Sequence, residues 1–186
     1  MRSAEGLLSF MDHEKYDIYV VEMCGRQWTA HYGEERCPVS KEDFSFEAAD
    51  GRHTFDFAYI TIHGTPGENG ILQGYFDLIG MPYSTSDVLV EAMTFNKFAL
   101  NNFLRAYPDL RVADAILLRK GEALPTVDEM VARLGLPCFV KPNAGGSSFG
   151  VTKVKTAEDL LPAIEKAMHE SDEVMAEGLM TGTEIT

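Results

Sequence analysis

The 186-residue sequence is short of positive charge. Lysine and arginine together number 16, against 29 aspartate and glutamate residues, so the formal net charge is −13 and the isoelectric point is about 4.7. A chain of this sign must overcome repulsion from the phosphate backbone, so we expect it not to bind nucleic acid. A local basic cleft for a small phosphate ligand is still compatible with this overall charge.

Long apolar runs and cysteine are also scarce. No run approaches the roughly 18 apolar residues that cross a bilayer, so we expect no membrane span. The amino-terminal residues reach Asp12 and Glu14 too soon to form a signal peptide. The three cysteines, Cys24, Cys37 and Cys138, have no CxxC or zinc-ligand spacing. Sparse, odd-numbered cysteines are typical of reduced thiols, and we therefore predict a cytoplasmic protein.

Strand-like apolar runs alternate with amphipathic helical segments along the chain, which predicts an α/β fold. The turn over residues 82–86 divides the sequence into a first lobe (residues 1–84) and a second lobe (residues 85–186). We expect the first lobe to contain an open, mostly parallel sheet with helices. In the second lobe, Thr126 and Glu129 have the spacing of a capping box at a helix start.

The most specific segment is FVKPNAGGSSFGV, residues 139–151. Apolar strand residues deliver Lys141, and a Gly/Ser loop then leads into another strand. Glycines let backbone N–H groups approach phosphate oxygens closely, while serine hydroxyls add donors and the lysine adds positive charge. The lysine precedes the glycines and no helix follows directly, so this is not a Walker A loop. The alternative is an ordinary hairpin turn with an exposed lysine.

A second segment, HGTPGENG at residues 63–70, lies where a predicted strand gives way to a helix. Ligands in open α/β sheets bind beyond the carboxyl ends of strands, and a helix amino terminus favours an anionic group. The segment is therefore a candidate ligand site. The alternative is a glycine-rich connection in which His63 only satisfies the backbone.

Taken together, these segments resemble the D-alanine–D-alanine ligases of the ATP-grasp superfamily. Residues 63–86 are similar to the family's first long signature, residues 139–151 to its phosphate-loop strand pair, and residues 176–186 to its nucleotide-binding strand and turn. The resemblance runs in register from about residue 55 onward. It implies that the second lobe is a partial central ATP-grasp lobe.

The resemblance implies roles for residues on the phosphate side of an ATP site. Lys97 and Lys141 match the two ATP-binding lysines, the second at the α- and β-phosphates. Asn96 departs from the family pattern, which usually has aspartate there. The loop that closes over the triphosphate is matched by Gly146, Ser147 and Ser148. Its first serine also helps to organise the substrate side, and we count it as catalytic.

The resemblance also implies residues at the two far ends of the site. Glu177 and Met180 match positions at the adenine, and Glu184 matches the carboxylate that holds the ribose hydroxyls. His63 and Glu68 match the end where the first D-alanine lies, and we count them as catalytic. Each of these residues has a plain alternative, as a solvated surface charge or as a core side chain.

The implied reaction joins two D-alanines for peptidoglycan precursors of the cell wall. ATP phosphorylates the carboxylate of one D-alanine, and the amine of a second attacks the acyl phosphate. Phosphoryl transfer depends mainly on positioning and charge neutralisation, with Mg²⁺ or Mn²⁺ as the implied metal. The resemblance further implies a homodimer formed through the first lobe.

We expect the chain to be a piece of a longer protein, because residues 184–186 have strand character with no turn or helix after them. The resemblance implies that a first strand and a carboxy-terminal domain are missing. That domain holds the metal-binding carboxylates, so we assign no metal ligands here and expect the chain to be inactive alone. The alternatives are a D-alanyl-D-lactate or D-alanyl-D-serine ligase, and a non-catalytic nucleotide-binding fragment.

Overall fold

The computed structural model describes residues 2–146 and 149–183, which contain both helices and strands. The predicted alternation is not found over residues 20–53, where five strands follow one another, or over residues 71–104, which hold three helices. The first lobe contains, in chain order, α1 (Arg2–Leu8), β1 (Val20–Cys24), β2 (Gln27–Tyr32), β3 (Glu35–Pro38), β4 (Phe46–Ala48), β5 (Gly51–His53) and α2 (Ile71–Ile79). The second lobe contains α3 (Val88–Phe95), α4 (Lys97–Leu104), β6 (Ala115–Arg119), α5 (Val127–Leu134), β7 (Cys138–Pro142), β8 (Thr152–Val154), a 3₁₀ turn (Ala157–Asp159), α6 (Leu160–Met168) and β9 (Glu173–Gly178). None of the helices in the described residues is both long and apolar enough to cross a bilayer.

The first lobe is built around aromatic packing. Strands β1, β2 and β3 form an antiparallel meander, and β4 and β5 form a separate hairpin. Helix α2 buries Leu72 and Phe76 against these elements. Its amide Gln73 is also buried, and Leu78 on the outer side is exposed. Gly80 ends α2 in the left-handed conformation, at φ 72°, that few residues other than glycine adopt.

The mixed helix-and-sheet class is confirmed, but the open parallel sheet predicted for residues 1–84 needs correction. The ladders between the described strands of this lobe are antiparallel. Parallel pairing is confined to one bridge, in which the Ala58 N–H donates to Pro82 O at 2.8 Å and the Ser84 N–H donates to Ala58 O at 3.1 Å. A parallel sheet forms only where neighbouring strands pair in register over several residues. Apolar patterning identifies a strand-like segment but does not show which segment pairs with it.

The second lobe is a four-stranded antiparallel sheet in the order β6-β9-β7-β8, with α5 and α6 packed on one face. Its core includes Met130 from α5, Ile164 from α6 and Val140 from β7, each at most 1% exposed. Cys138 lies in this core, where burial raises the pKa of its thiol. The capping box at Thr126 is confirmed, since its hydroxyl accepts from the backbone N–H of Glu129 and the Glu129 carboxylate accepts from Thr126 in return.

Candidate functional site

The site begins with the side-chain alternation of β7. Cys138, Val140 and Pro142 are buried against the helices, so Phe139 and Lys141 project from the opposite face of the sheet. A cleft of about 610 Å³ opens on that face. Its lining consists of Lys97, Phe139, Lys141, Pro142, Ala144, Gly145, Gly146, Phe149, Val151, Glu170 and Glu177.

Lys141 and Glu177 form an ion pair on the wall of this cleft. Glu177 lies on β9 directly opposite Phe139, which makes it a diagonal neighbour of Lys141 on the same face. The Lys141 Nζ donates to the Glu177 Oε1 in a close contact. The two side chains are only 20% and 17% exposed, so the pair is largely removed from water. The sequence-based role for Glu177 placed it at adenine, and in this structure its carboxylate accepts from a lysine.

Lys97 reaches the same cleft from the first residue of α4. Its Nζ donates to Gly145 O at 2.7 Å and approaches Asn143 O at 3.4 Å. Burial lowers the pKa of this ammonium, the nearby charge of Lys141 lowers it further, and Glu177 acts in the opposite direction. A half-buried cation whose hydrogen bonds to the described residues go to neutral carbonyls favours an anionic ligand.

Residues after β7 line one side of the cleft. Gly145 has φ 121°, a conformation strained for other residues, and it turns its carbonyl toward Lys97. A Cβ at Gly150 would lie 2.9 Å from the Pro142 Cγ, so Gly150 packs tightly against the end of the strand. Gly146 is part of the cleft lining. Ser147, Ser148 and Glu184 lie outside the described residues.

His63 and Glu68 come together in the loop before α2. The Glu68 Oε2 accepts from the Gly64 N–H at 2.6 Å, and its Oε1 lies 3.4 Å from the His63 Nδ1. Glu68 also borders a second cleft of about 280 Å³, which adjoins the first because Lys97 and Gly145 line both. The other residues that line it are Glu91, Thr94 and Phe95.

The structure therefore brings most of the described candidates together. Lys97, Lys141, Gly146 and Glu177 share one cleft, and Glu68 borders the adjoining one. His63 reaches this second cleft only through Glu68, and its imidazole is 85% exposed. Met180 is 53% exposed and does not line either cleft.

Sequence reasoning missed Asn143, which is fully buried immediately after β7. Its side chain bonds to α4 and to β9 and so joins the elements that carry Lys97 and Glu177. The signal was available, because a polar amide directly after a buried strand must find hydrogen-bond partners. Its partners, however, are 30 to 47 residues away and cannot be read from spacing.

The donor set does not match a metal ion. Within residues 2–146 and 149–183, no group of three or more histidine, cysteine, aspartate or glutamate side chains is placed to hold one. The cleft presents two ammonium groups, Lys97 and Lys141, and two carboxylates, Glu170 and Glu177, of which Glu177 is paired with Lys141. The ammonium groups are donors that can bind phosphate oxygens.

Comparison with known proteins agrees with this arrangement. The family model for the D-ala D-ala ligase C-terminus matches residues 106–186. A D-alanine–D-alanine ligase from Phocaeicola vulgatus is 60% identical over 187 aligned residues, which span 100% of this chain and 57% of that protein. The chain is therefore similar to D-alanine–D-alanine ligases along its whole length. The D-alanine–D-alanine ligase from Bacteroides fragilis is 54% identical with the same coverage, so the chain spans a little over half the length of these relatives.

Solved structures of the ligase family have the same fold. The D-alanine–D-alanine ligase from Coxiella burnetii superposes with a TM-score of 0.82 at 26% identity, over 97% of this chain and 59% of that one. The VanG D-Ala:D-Ser ligase from Enterococcus faecalis also gives 0.82, at 28% identity, over 97% of this chain and 58% of that one. The resemblance that the sequence motifs indicate is therefore confirmed at the level of the whole chain.

Proposed function

We propose that this chain supplies the ATP-binding part of an enzyme that joins two D-alanines into D-alanyl-D-alanine for peptidoglycan precursors. The observation that carries the proposal is the convergence of Lys97 and Lys141, from different elements, on one cleft beside the Gly145 carbonyl. The 60% identity to a D-alanine–D-alanine ligase over the whole of this chain supports it.

The cleft is suited to the phosphates of ATP. Lys97 and Lys141 would bind phosphate oxygens, and the backbone N–H groups of the loop at Gly146 would add donors. Ser147 and Ser148 complete this loop in the proposal, and Glu184 holds the ribose. Glu177 and Met180 take the adenine end. Because Glu177 is already paired with Lys141, ATP would enter a site in which that lysine is held in place.

The adjoining cleft is proposed to take the first D-alanine. It meets the phosphate cleft at Lys97, so a carboxylate bound there would lie next to the transferred phosphoryl group. His63 and Glu68 would orient this substrate at the far end. Acyl transfer then follows when the amine of the second D-alanine attacks the D-alanyl phosphate. Exclusion of water by loop closure protects that intermediate.

The remaining family properties belong to the same proposal. We propose a cytoplasmic homodimer whose ATP is bound with Mg²⁺ or Mn²⁺. The described residues offer no ligand set for that metal, so no step is assigned to it here.

Calorimetric titration of the chain with ATP tests the nucleotide site. Lys97→Ala and Lys141→Ala should each weaken ATP binding by about tenfold or more, because each removes a charged hydrogen bond to phosphate. Lys120→Ala is the matched control, since Lys120 also pairs with a carboxylate, that of Asp172, but is 61% exposed and remote from the cleft. Equal ATP affinity in all four proteins would contradict the proposal.

A product assay tests the substrates. The assay uses the complete enzyme that the proposal assumes, because we expect the chain to be inactive alone. D-Alanine with ATP should release ADP and form D-alanyl-D-alanine, and D-lactate or D-serine should compete poorly. Preference for either competitor would assign the chain to a depsipeptide- or D-serine-forming relative. ATP binding without ADP release from any of these substrates would favour the non-catalytic fragment.

A further inference from the structure

The buried amide of Asn143 makes hydrogen bonds to two other elements. Asn143 is 0% exposed and follows β7 directly. Its Oδ1 accepts from the Phe98 N–H at 2.9 Å in the first turn of α4. Its Nδ2 donates to the Asn96 Oδ1 at 3.1 Å and to the Glu173 Oε2 at 2.9 Å. One short side chain therefore ties the end of β7 to the start of α4 and to the start of β9.

The main chain of Asn143 adds to the same connection. Its N–H donates to Glu173 O at 2.9 Å, and its carbonyl accepts from the Lys97 N–H at 3.0 Å. The Lys97 Nζ lies 3.4 Å from the same carbonyl. Lys141 lies on β7, two residues before Asn143. The hydrogen bonds of Asn143 therefore help to set the position of Lys97 relative to Lys141.

Two lysines that share a cleft require such a connection. Their ammonium groups repel each other, and the repulsion is strong where water is partly excluded. No regular ladder joins α4 to β7 in the described residues: the backbone pairing between the two segments is one antiparallel bridge, between Asn96 just before α4 and Ala144 just after β7. Directional hydrogen bonds to a buried group resist the separation that repulsion would otherwise cause.

The orientation of the amide is set from the other side by an ion pair. The Glu173 Oε1 accepts from the Arg119 Nε at 2.9 Å, and this bond and the one from Asn143 lower the pKa of the Glu173 carboxyl. An ionised carboxylate can only accept, so the group that faces it must be the Nδ2 of Asn143. The Oδ1 is then directed to the Phe98 N–H. An aspartate at position 143 would set two carboxylates against each other.

From these contacts we propose that Asn143 is a positioning residue, which sets Lys97 against Lys141 so that both can bind the same polyphosphate. The inference rests on the proposed ATP site, but it also predicts a property of the chain without nucleotide. Released from Asn143, the first turn of α4 would carry Lys97 away from Gly145, and its Nζ would become more accessible.

The experiment compares wild type, Asn143→Ala and Gln73→Ala. Gln73, on α2 of the first lobe, is the matched control, because it is also a 0% exposed amide. Its Nε2 donates to Gly67 O at 2.7 Å and to the Thr85 Oγ1 at 2.9 Å. Acylation of each lysine by a dilute amine-reactive ester is followed by peptide mass spectrometry without nucleotide. Affinities for ATP and for adenosine are measured by calorimetry.

We expect Asn143→Ala to raise the acylation rate of Lys97 several-fold relative to exposed Lys120. We also expect it to weaken ATP binding by about tenfold while adenosine binding stays unchanged, because only the phosphates require both lysines. Gln73→Ala should lower the melting temperature comparably and leave both readouts at the wild-type level. A merely structural role for Asn143 would move the melting temperature alone.

Unchanged acylation of Lys97 in Asn143→Ala, together with an unchanged ratio of ATP to adenosine affinity, would overturn the inference. If that variant does not fold, Asn96→Ala serves instead. It removes one acceptor of the Asn143 amide and should shift both readouts in the same direction by a smaller factor, and no shift there would equally overturn the inference. If wild type binds no ATP, the proposed function fails, and the acylation rates still decide the role of Asn143.

Discussion

Replacing Lys141 with methionine should destabilise the chain by about 2–3 kcal/mol at neutral pH. Methionine keeps the apolar stem, so little packing is lost, and the main effect is a stranded carboxylate at Glu177. Breaking a fully buried ion pair by removing one partner costs about 3–5 kcal/mol. Here the two side chains are 20% and 17% exposed, so water can partly solvate the carboxylate. The expected loss of unfolding free energy is therefore about 2–3 kcal/mol.

Urea unfolding followed by far-ultraviolet circular dichroism measures this cost. A loss of 2–3 kcal/mol corresponds to roughly 4–12 °C in melting temperature for a domain of this size. The double variant Lys141→Met with Glu177→Gln should recover part of the loss, because no unpaired charge remains. Lys120→Met is the control, since its partner Asp172 is 87% exposed and an exposed pair is worth at most about 1 kcal/mol.

The comparison between the single and double variants decides whether the Lys141–Glu177 pair is held out of water. One outcome would show that the ion pair is solvated in solution. Lys141→Met would have the same urea midpoint as wild type, and the double variant would show no coupling free energy between the two positions. The argument that the cleft holds Lys141 in place before ATP arrives would then be refuted.

Three further predictions concern the loop, a helix and the acid response. Gly67→Ala should lower the melting temperature and disturb the loop before α2, because the added Cβ would lie 2.2 Å from the Ile62 carbonyl oxygen. Thr126→Ala should cost about 1 kcal/mol in urea unfolding, through loss of the α5 cap. The pKa of Glu173 is held below its ordinary 4.5, first by Arg119, so its ionised form stabilises the fold above that value and this contribution is lost as pH falls through the lowered pKa. Between about pH 6 and about pH 3, the melting temperature of wild type should fall more steeply than that of Glu173→Gln.

Part of the fold could be predicted from local sequence. The segment FVKPNAGGSSFGV predicted a strand that carries Lys141, and the structure has that lysine in β7. The capping box at Thr126 marked a helix start, because it depends on atoms within a few residues. Joint motifs in the right order indicated the resemblance to the ligase family, which the comparisons confirm.

The sequence by itself thus determined the mixed α/β class and the helix start at Thr126, because these depend on near neighbours. The phosphate-binding roles of the lysines stay a prediction. Only the tertiary structure decided how distant residues meet. It limited parallel pairing at Ala58 to one bridge, paired Lys141 with Glu177, and made Asn143 the link between α4 and β9. The physical reason is that strand partners and buried hydrogen bonds depend on which segments pack together, and local propensity does not encode that choice.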